Sequence, residues 1–171
     1  KLRFVQLPAG QSVAYNPDSV FQFPVGTRIA KTFYYPIDER KPESGRRIME
    51  TRILSHETTG WVALPYIWNE DQTEAYLEVA GGTSLVEFKN MQGKKQQVNY
   101  VVPNMNQCKG CHERDGMMTP IGPSARQMNA SMRYAHGEEN QLDYWSRTNQ
   151  LTNVPETRPK FVSYMDEGAP L

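Results

Sequence analysis

Two cysteines and a histidine stand together in the sequence CKGCH, residues 108–112. Cys108 and Cys111 are the only cysteines of the chain, and His112 follows the second one directly. Three kinds of site use such residues: a redox dithiol, a zinc site and the covalent attachment site of a c-type haem. The choice among them decides most of what the sequence says about function.

The dithiol and the zinc site are the weaker interpretations. A thioredoxin-type dithiol opens a helix after a buried strand in an α/β setting, and it gives His112 no role. A structural zinc site needs four ligands, and the other histidines, His56 and His136, stand apart from each other in the sequence. Both interpretations stay open as alternatives.

A c-type haem needs these residue types in this order. The two thiols add to the haem vinyl groups as thioethers, a helical turn sets their separation, and the adjacent histidine binds the iron. The motif also uses every cysteine of the chain. The sequence therefore predicts one covalently bound haem c, held by Cys108 and Cys111, with His112 as the proximal iron ligand.

The composition limits the other possibilities. Lys and Arg number 19 and Asp and Glu number 19, so the chain has no strong field that would favour nucleic acid or an anionic membrane. No apolar run approaches the roughly 18–20 residues that span a bilayer. The chain shows no signal peptide, so we expect that an exported protein would have lost it.

The elements that must position the motif change in kind near Pro103. Before it, alternating apolar and polar runs predict strands in "KLRF", "RIAKTFYYP", "RRIMETRILSH", "GWVALPYIW", "SLVEFK" and "QQVNYVV". In the second of the long runs, Met49, Thr51 and Ile53 alternate with Glu50 and Arg52. Turn residues separate the runs, which predicts an antiparallel sandwich or a barrel-like arrangement over 1–103.

After Pro103 the spacing is helical. Ala125, Met128, Met132 and Ala135 fall on one helical face after Pro123, and "GEENQLDYWSRTNQ" predicts a second helix with acids in its first turn and with Leu142 and Trp145 facing inward. The predicted fold class is α+β, with a β-rich domain over 1–103 and a small helical c-type haem segment over 104–171.

Several stretches carry a family resemblance. "FQFPVGTRIAKTFYYP", "GRRIMETRIL", "GWVALPYIWNEDQTEAYLEVAGG" and "VNYVVPNMNQCKGCH" resemble an uncharacterised family of exported bacterial c-type haem proteins. The "FPVGTRIAKTFYY" segment followed by a late CxxCH is also similar to cytochrome c prime beta, in which the sixth iron position can stay open for small gases. The resemblance implies a periplasmic or extracellular protein, with other haem domains as possible neighbours.

The residues after the motif resemble class I cytochromes c in their order. "TPIGPSARQM" resembles the Gly-Pro loop of that class, which implies that the carbonyl of Pro123 accepts a hydrogen bond from His112. A helix followed by a proline-bearing loop then implies Met165 as the distal iron ligand. The alternatives are a helix-starting proline for Pro123 and an open, five-coordinate iron in place of Met165.

Two functions follow from the haem prediction. The first is electron transfer between redox partner proteins in the periplasm or at the cell surface. The alternative is a haem enzyme or gas-binding protein with an open sixth position, for which His136, Glu113 and Arg114 are conceivable acid or base groups. A dithiol-bearing β-rich binding module is the interpretation without haem.

Overall fold

The computed structural model describes residues 1–158 and is rich in antiparallel strands. Met165, predicted as the distal iron ligand, lies outside the described residues. In chain order the elements are β1 (Leu2–Gln6), β2 (Val13–Ala14), β3 (Arg28–Pro36), β4 (Arg46–Glu57), β5 (Gly60–Trp68), β6 (Ala75–Leu77), β7 (Gly82–Lys89), β8 (Lys95–Val102), α1 (Met105–His112), β9 (Glu113–Arg114), β10 (Met117–Met118), α2 (Ala125–Met128), β11 (Ser131–Tyr134), β12 (Gly137–Asn140), α3 (Gln141–Arg147) and β13 (Leu151–Thr152).

The chain divides into two compact units. Unit 1 combines Lys1–Gln6 with Val25–Thr119, and unit 2 combines Leu7–Pro24 with the chain from Pro120 onward. The CKGCH motif therefore belongs to the same compact unit as the long strands.

Unit 1 is built on a five-stranded antiparallel sheet in the order β1-β3-β4-β5-β6, together with the hairpin β7-β8. The β-rich character and the six strands expected from alternation are confirmed. A cluster around Phe33, Met49 and Val86 joins the sheet to the hairpin, and burial of these apolar side chains stabilises the contact. None of the helices within the described residues is long and apolar enough to cross a bilayer.

In β4, the strand face that carries Glu50 and Arg52 is more buried than the alternating sequence pattern indicated. Met49 is buried as expected, but Glu50 is completely buried and Arg52 is mostly covered, whereas Thr51 and Ile53 are only partly covered. The register between β3 and β4 shifts at Phe33, which changes the residues that face one another across the two strands.

The buried apolar side chains of unit 2 are those of Val13, Phe21, Phe23, Ala125, Met128, Leu142 and Leu151. The single helix expected across Ala125–Ala135 is wrong beyond Met128, because Ser131–Tyr134 pairs with Gly137–Asn140 as a hairpin. Met132 is 47% exposed, so the apolar spacing that favoured a helix was not a core-facing stripe.

The second predicted helix begins later than expected. It starts at Gln141, where the side chain of Asn140 accepts a hydrogen bond from the N–H of Leu142 and caps the helix. Glu138 and Glu139 therefore lie in β12 rather than in a first helical turn. Leu142 is buried as predicted, and the described chain after Pro103 is a mixture of short strands and helices.

Candidate functional site

The CKGCH motif lies wholly inside α1. The helix begins after Asn104, whose side-chain oxygen accepts from the N–H of Gln107 at 2.8 Å while Gln107 accepts from the N–H of Asn104 at 2.9 Å. This capping box satisfies two backbone N–H groups and fixes the start of the helix. Cys108 and Cys111 are consequently three residues apart on a helix, which brings their side chains to neighbouring positions on its surface.

The two thiols have different surroundings. Cys108 is buried against Leu54 and Ala63, with Ile29, Trp61 and Met118 packed around the cluster, whereas Cys111 is exposed. Burial raises the pKa of the Cys108 thiol, and the nearby Arg52 guanidinium partly opposes that effect. Both cysteines are free rather than joined in a disulfide.

This placement argues against a thioredoxin-type dithiol. Such sites lower the thiol pKa at the N-terminus of a helix, where the backbone N–H groups point at the sulfur. Here both cysteines lie beyond the first turn of α1, and the pKa of Cys108 is raised. Among the described residues there is also no cluster of three or more His, Cys, Asp or Glu side chains of the kind that holds zinc.

His112 is the last residue of α1 and is oriented by the backbone. Its Nδ1 lies 3.1 Å from the carbonyl oxygen of Thr119, and the N–H of Thr119 donates to the carbonyl of His112 at 2.5 Å. Because a carbonyl can only accept, Nδ1 carries the proton, and the lone pair of the neutral imidazole is on Nε2. Burial, and then Arg52 and Lys31, lower the pKa of His112 against the opposing effect of Thr119.

A tight hairpin brings Thr119 back to His112. Strands β9 and β10 pair antiparallel, and the two residues between them, Asp115 and Gly116, both have positive φ. That is the geometry of a type I′ turn, which Asp-Gly favours strongly. The dipeptide is visible in the sequence, so this signal could have indicated Thr119 as the partner of His112.

Pro123, assigned to the site by resemblance, lies in unit 2. Its carbonyl accepts a hydrogen bond from the N–H of Phe21 at 3.1 Å. In unit 1, Nδ1 of His112 donates instead to the carbonyl oxygen of Thr119. The assignment of Pro123 to a haem site stays a prediction.

Of the candidate acid or base groups, Glu113 and Arg114 lie in unit 1 and His136 lies in unit 2. Glu113 and Arg114 are exposed on β9, and Arg114 lies 3.8 Å from Asp115. His136 is bound to Glu139 in unit 2 and stacks on Tyr134 and Tyr144. The distal ligand predicted at Met165 lies beyond residue 158, so it stays a prediction.

Sequence reasoning missed a buried polar network beside Cys108. Arg52 donates to Glu50 through Nε at 2.5 Å and through Nη2 at 2.9 Å, and the hydroxyl of Tyr100 donates to Glu50 at 2.8 Å. Burial, and then the Glu50 carboxylate, raise the pKa of Tyr100. Strand alternation placed Glu50 and Arg52 on one face but gave no sign that this face is covered.

The site fits covalent haem attachment in the chemistry of its donors. It offers two free thiols on one helix and an imidazole whose Nε2 has the lone pair that iron binds. Comparisons of the chain with protein-family models, with curated proteins and with solved structures give no match.

Proposed function

We propose that the chain is a c-type cytochrome that binds one haem c covalently and transfers electrons in the periplasm or at the cell surface of a bacterium. In this proposal Cys108 and Cys111 form the thioethers and His112 is the proximal iron ligand. The observation that carries it is the hydrogen bond from Nδ1 of His112 to the carbonyl of Thr119. Metal-binding histidines are commonly oriented in this way, with the second nitrogen left for the metal.

Cys108, Cys111 and His112 each have a defined task in this proposal. Each thiol would add across one vinyl group, with the sulfur forming a bond to carbon and the thiol proton ending on the neighbouring carbon. The buried cluster around Cys108 fixes that sulfur, and the Thr119 carbonyl fixes the imidazole. When bound, the haem supplies reversible one-electron chemistry.

The rest of unit 1 serves in this proposal as a rigid support. The hairpin β7-β8 packs on the five-stranded sheet through Val86 and Phe88, which supports a sandwich-like arrangement. Sites that depend on exact orientation are held best on such regular elements. Redox partner proteins, and other haem domains, are the proposed partners.

Maturation of the full chain in a bacterial periplasm with a c-type haem attachment system tests the proposal. We expect an intact mass equal to the polypeptide plus one haem, and a haem that resists acid-acetone extraction. The double variant Cys108→Ala/Cys111→Ala should lose all covalent haem. The exposed Lys109→Ala, inside the same motif, should keep it. Natively matured protein with the mass of the bare polypeptide would refute the proposal.

The sixth iron position separates electron transfer from the alternative function. Met165 remains the proposed distal ligand. Visible spectra of the reduced protein with and without carbon monoxide, for the wild type and for Met165→Ala, test it. Slow or absent binding by the wild type and rapid binding by the variant support Met165. Rapid binding by both favours an open iron, as in a haem enzyme or gas-binding protein.

A further inference from the structure

The sheet of unit 1 aligns three positive side chains across three strands. Arg3 of β1 pairs with Lys31 of β3, and Lys31 pairs with Arg52 of β4. Directly opposed residues in antiparallel strands project from the same face of the sheet. We call these three residues the cation row. Like charges in this arrangement repel one another, so the row destabilises the chain when nothing is bound to it.

The chain itself compensates only part of this charge. Glu50 is the neighbouring carboxylate, and it is already bound to Arg52 and Tyr100. Among residues 1–158, neither Arg3 nor Lys31 has a carboxylate within ion-pair distance. The ammonium of Lys31 instead lies 4.9 Å from the centre of the Phe33 ring.

The cation row lies next to the motif. Ile29 pairs with Leu54, and Leu54 with Ala63, and these three side chains pack with Cys108. Ile29 and Lys31 are two residues apart on β3, and Arg52 and Leu54 are two residues apart on β4. The cation row and the row of side chains that packs with Cys108 are therefore adjacent on the same face of the sheet. Arg3 is exposed and Lys31 is half-buried, which leaves the row accessible from solvent.

We propose that the cation row binds the propionate carboxylates of the haem. This inference rests on the proposed function and deepens it, since it assigns Arg3, Lys31 and Arg52 as positioning residues for the cofactor. Carboxylates form charge-assisted hydrogen bonds with guanidinium and ammonium groups. Their binding would also relieve the repulsion within the row. The interaction is non-covalent and needs no further reactant.

The test uses two porphyrins that share one macrocycle and differ only at the two propionates, which are free carboxylates in one and uncharged methyl esters in the other. The full chain, produced without haem attachment, is titrated with metal-free protoporphyrin IX and with its dimethyl ester, and quenching of tryptophan fluorescence is measured. Trp61 packs against the Cys108 cluster and can report binding there. We expect Lys31→Gln to weaken binding of the free acid about tenfold and to leave the ester unchanged.

Two matched variants control for the substitution. Lys31→Arg keeps the charge and should keep the affinity for the free acid. Lys94→Gln removes an exposed lysine in the turn between β7 and β8 and should change neither titration. An equal loss for acid and ester, or no measurable binding of the free acid to the wild type, overturns the inference.

A stability measurement separates binding from a structural role. Because Lys31→Gln removes like-charge repulsion, the porphyrin-free variant should melt a few degrees above the wild type. A lower melting temperature together with weaker binding of both porphyrins would make Lys31 structural and overturn the inference. If Lys31→Gln weakens the binding of poly-glutamate but not of the free-acid porphyrin, the result indicates an acidic protein partner. That outcome also overturns the inference.

The outcomes for the two proposals stay distinguishable. Absence of covalent haem after maturation refutes the proposed function, whatever the porphyrin titrations give. Covalent haem in a chain whose Lys31→Gln variant binds acid and ester like the wild type refutes only the role of the cation row.

Discussion

Unit 1 and unit 2 each contain a histidine whose ring forms a hydrogen bond, and the two hydrogen bonds have different types of partner. His112 in unit 1 is half-buried, and its Nδ1 is bound to a backbone carbonyl. His136 in unit 2 is exposed, and its Nε2 is bound to the Glu139 carboxylate at 2.8 Å. A histidine held by the backbone through Nδ1 keeps its other nitrogen for a ligand, whereas His136 uses that nitrogen within its own hairpin.

The ion pairs of the two units differ in the same way. Glu50 is fully buried and Arg52 is 19% exposed, whereas the side chains of Glu139 and Arg147 are 20% and 57% exposed. Solvent can replace the partner of an exposed charge but not of a buried one. The stability of unit 1 therefore depends more strongly than that of unit 2 on its charged groups being paired.

The largest effect is expected from Glu50→Gln. The change leaves the Arg52 guanidinium, which is mostly covered, without a countercharge, and this should destabilise the chain by about 3–5 kcal/mol. Urea unfolding of the haem-free chain measures it. Glu139→Gln is the matched change in unit 2 and should have a much smaller effect. Similar losses for the two variants would remove the distinction between the units.

The network of Glu50, Arg52 and Tyr100 also shows which part of unit 1 could not be predicted from the sequence. Alternation in "RRIMETRIL" was sufficient to predict a strand, because side chains of a strand alternate between two faces whatever their partners are. It could not show that Glu50 would be covered, because its hydrogen-bond partner Tyr100 lies 50 residues further along the chain.

A smaller effect is expected from Gly116→Ala in the hairpin after the motif. Gly116 has φ of +76°, and an added Cβ would meet no atom within 4 Å, so the effect comes from the backbone alone and should be about 1 kcal/mol. Because the turn carries Thr119 to His112, the visible spectrum of the haem-bound protein should shift as well.

Gly10→Ala is the control for that change. Gly10 lies in unit 2 with φ of +71° and also has open space around its Cβ position. It should lower stability by a similar amount and leave the spectrum of the haem-bound protein unaltered. A spectrum that responds equally to both variants would contradict the role of the β9-β10 turn in holding His112.

The smallest effect concerns pH. The folded-state pKa of His112 is lowered from 6.5, chiefly by burial, so below pH 6.5 the unfolded chain binds a proton that the folded chain takes up only at lower pH. Stability should therefore fall as pH decreases from 6.5 through the folded pKa. Urea midpoints of the haem-free Cys108→Ala/Cys111→Ala chain, with and without His112→Gln, measure it. An identical pH dependence with and without His112→Gln would count against a half-buried, neutral imidazole at this position.

Short elements were predicted less well than long strands. The i, i+3, i+7 spacing of Ala125, Met128 and Met132 indicated one helix, but a helix of four residues and a hairpin share that segment. In so short a stretch, pairing with Gly137–Asn140 outweighs apolar periodicity. The motif itself was predicted correctly as helical, and Asp115-Gly116 contained a turn signal that the apolar pattern did not use.

The parallel pairing of β2 with β13 has a consequence for the order of assembly. The hydroxyl of Thr152 donates to the carbonyl of Val13 across a separation of 139 residues, whereas every segment of unit 1 precedes Pro120. Closing so long a loop is entropically unfavourable and slow. During synthesis from the N-terminus, the sheet and the cysteine-bearing helix therefore have all their parts before β2 can meet its partner strand.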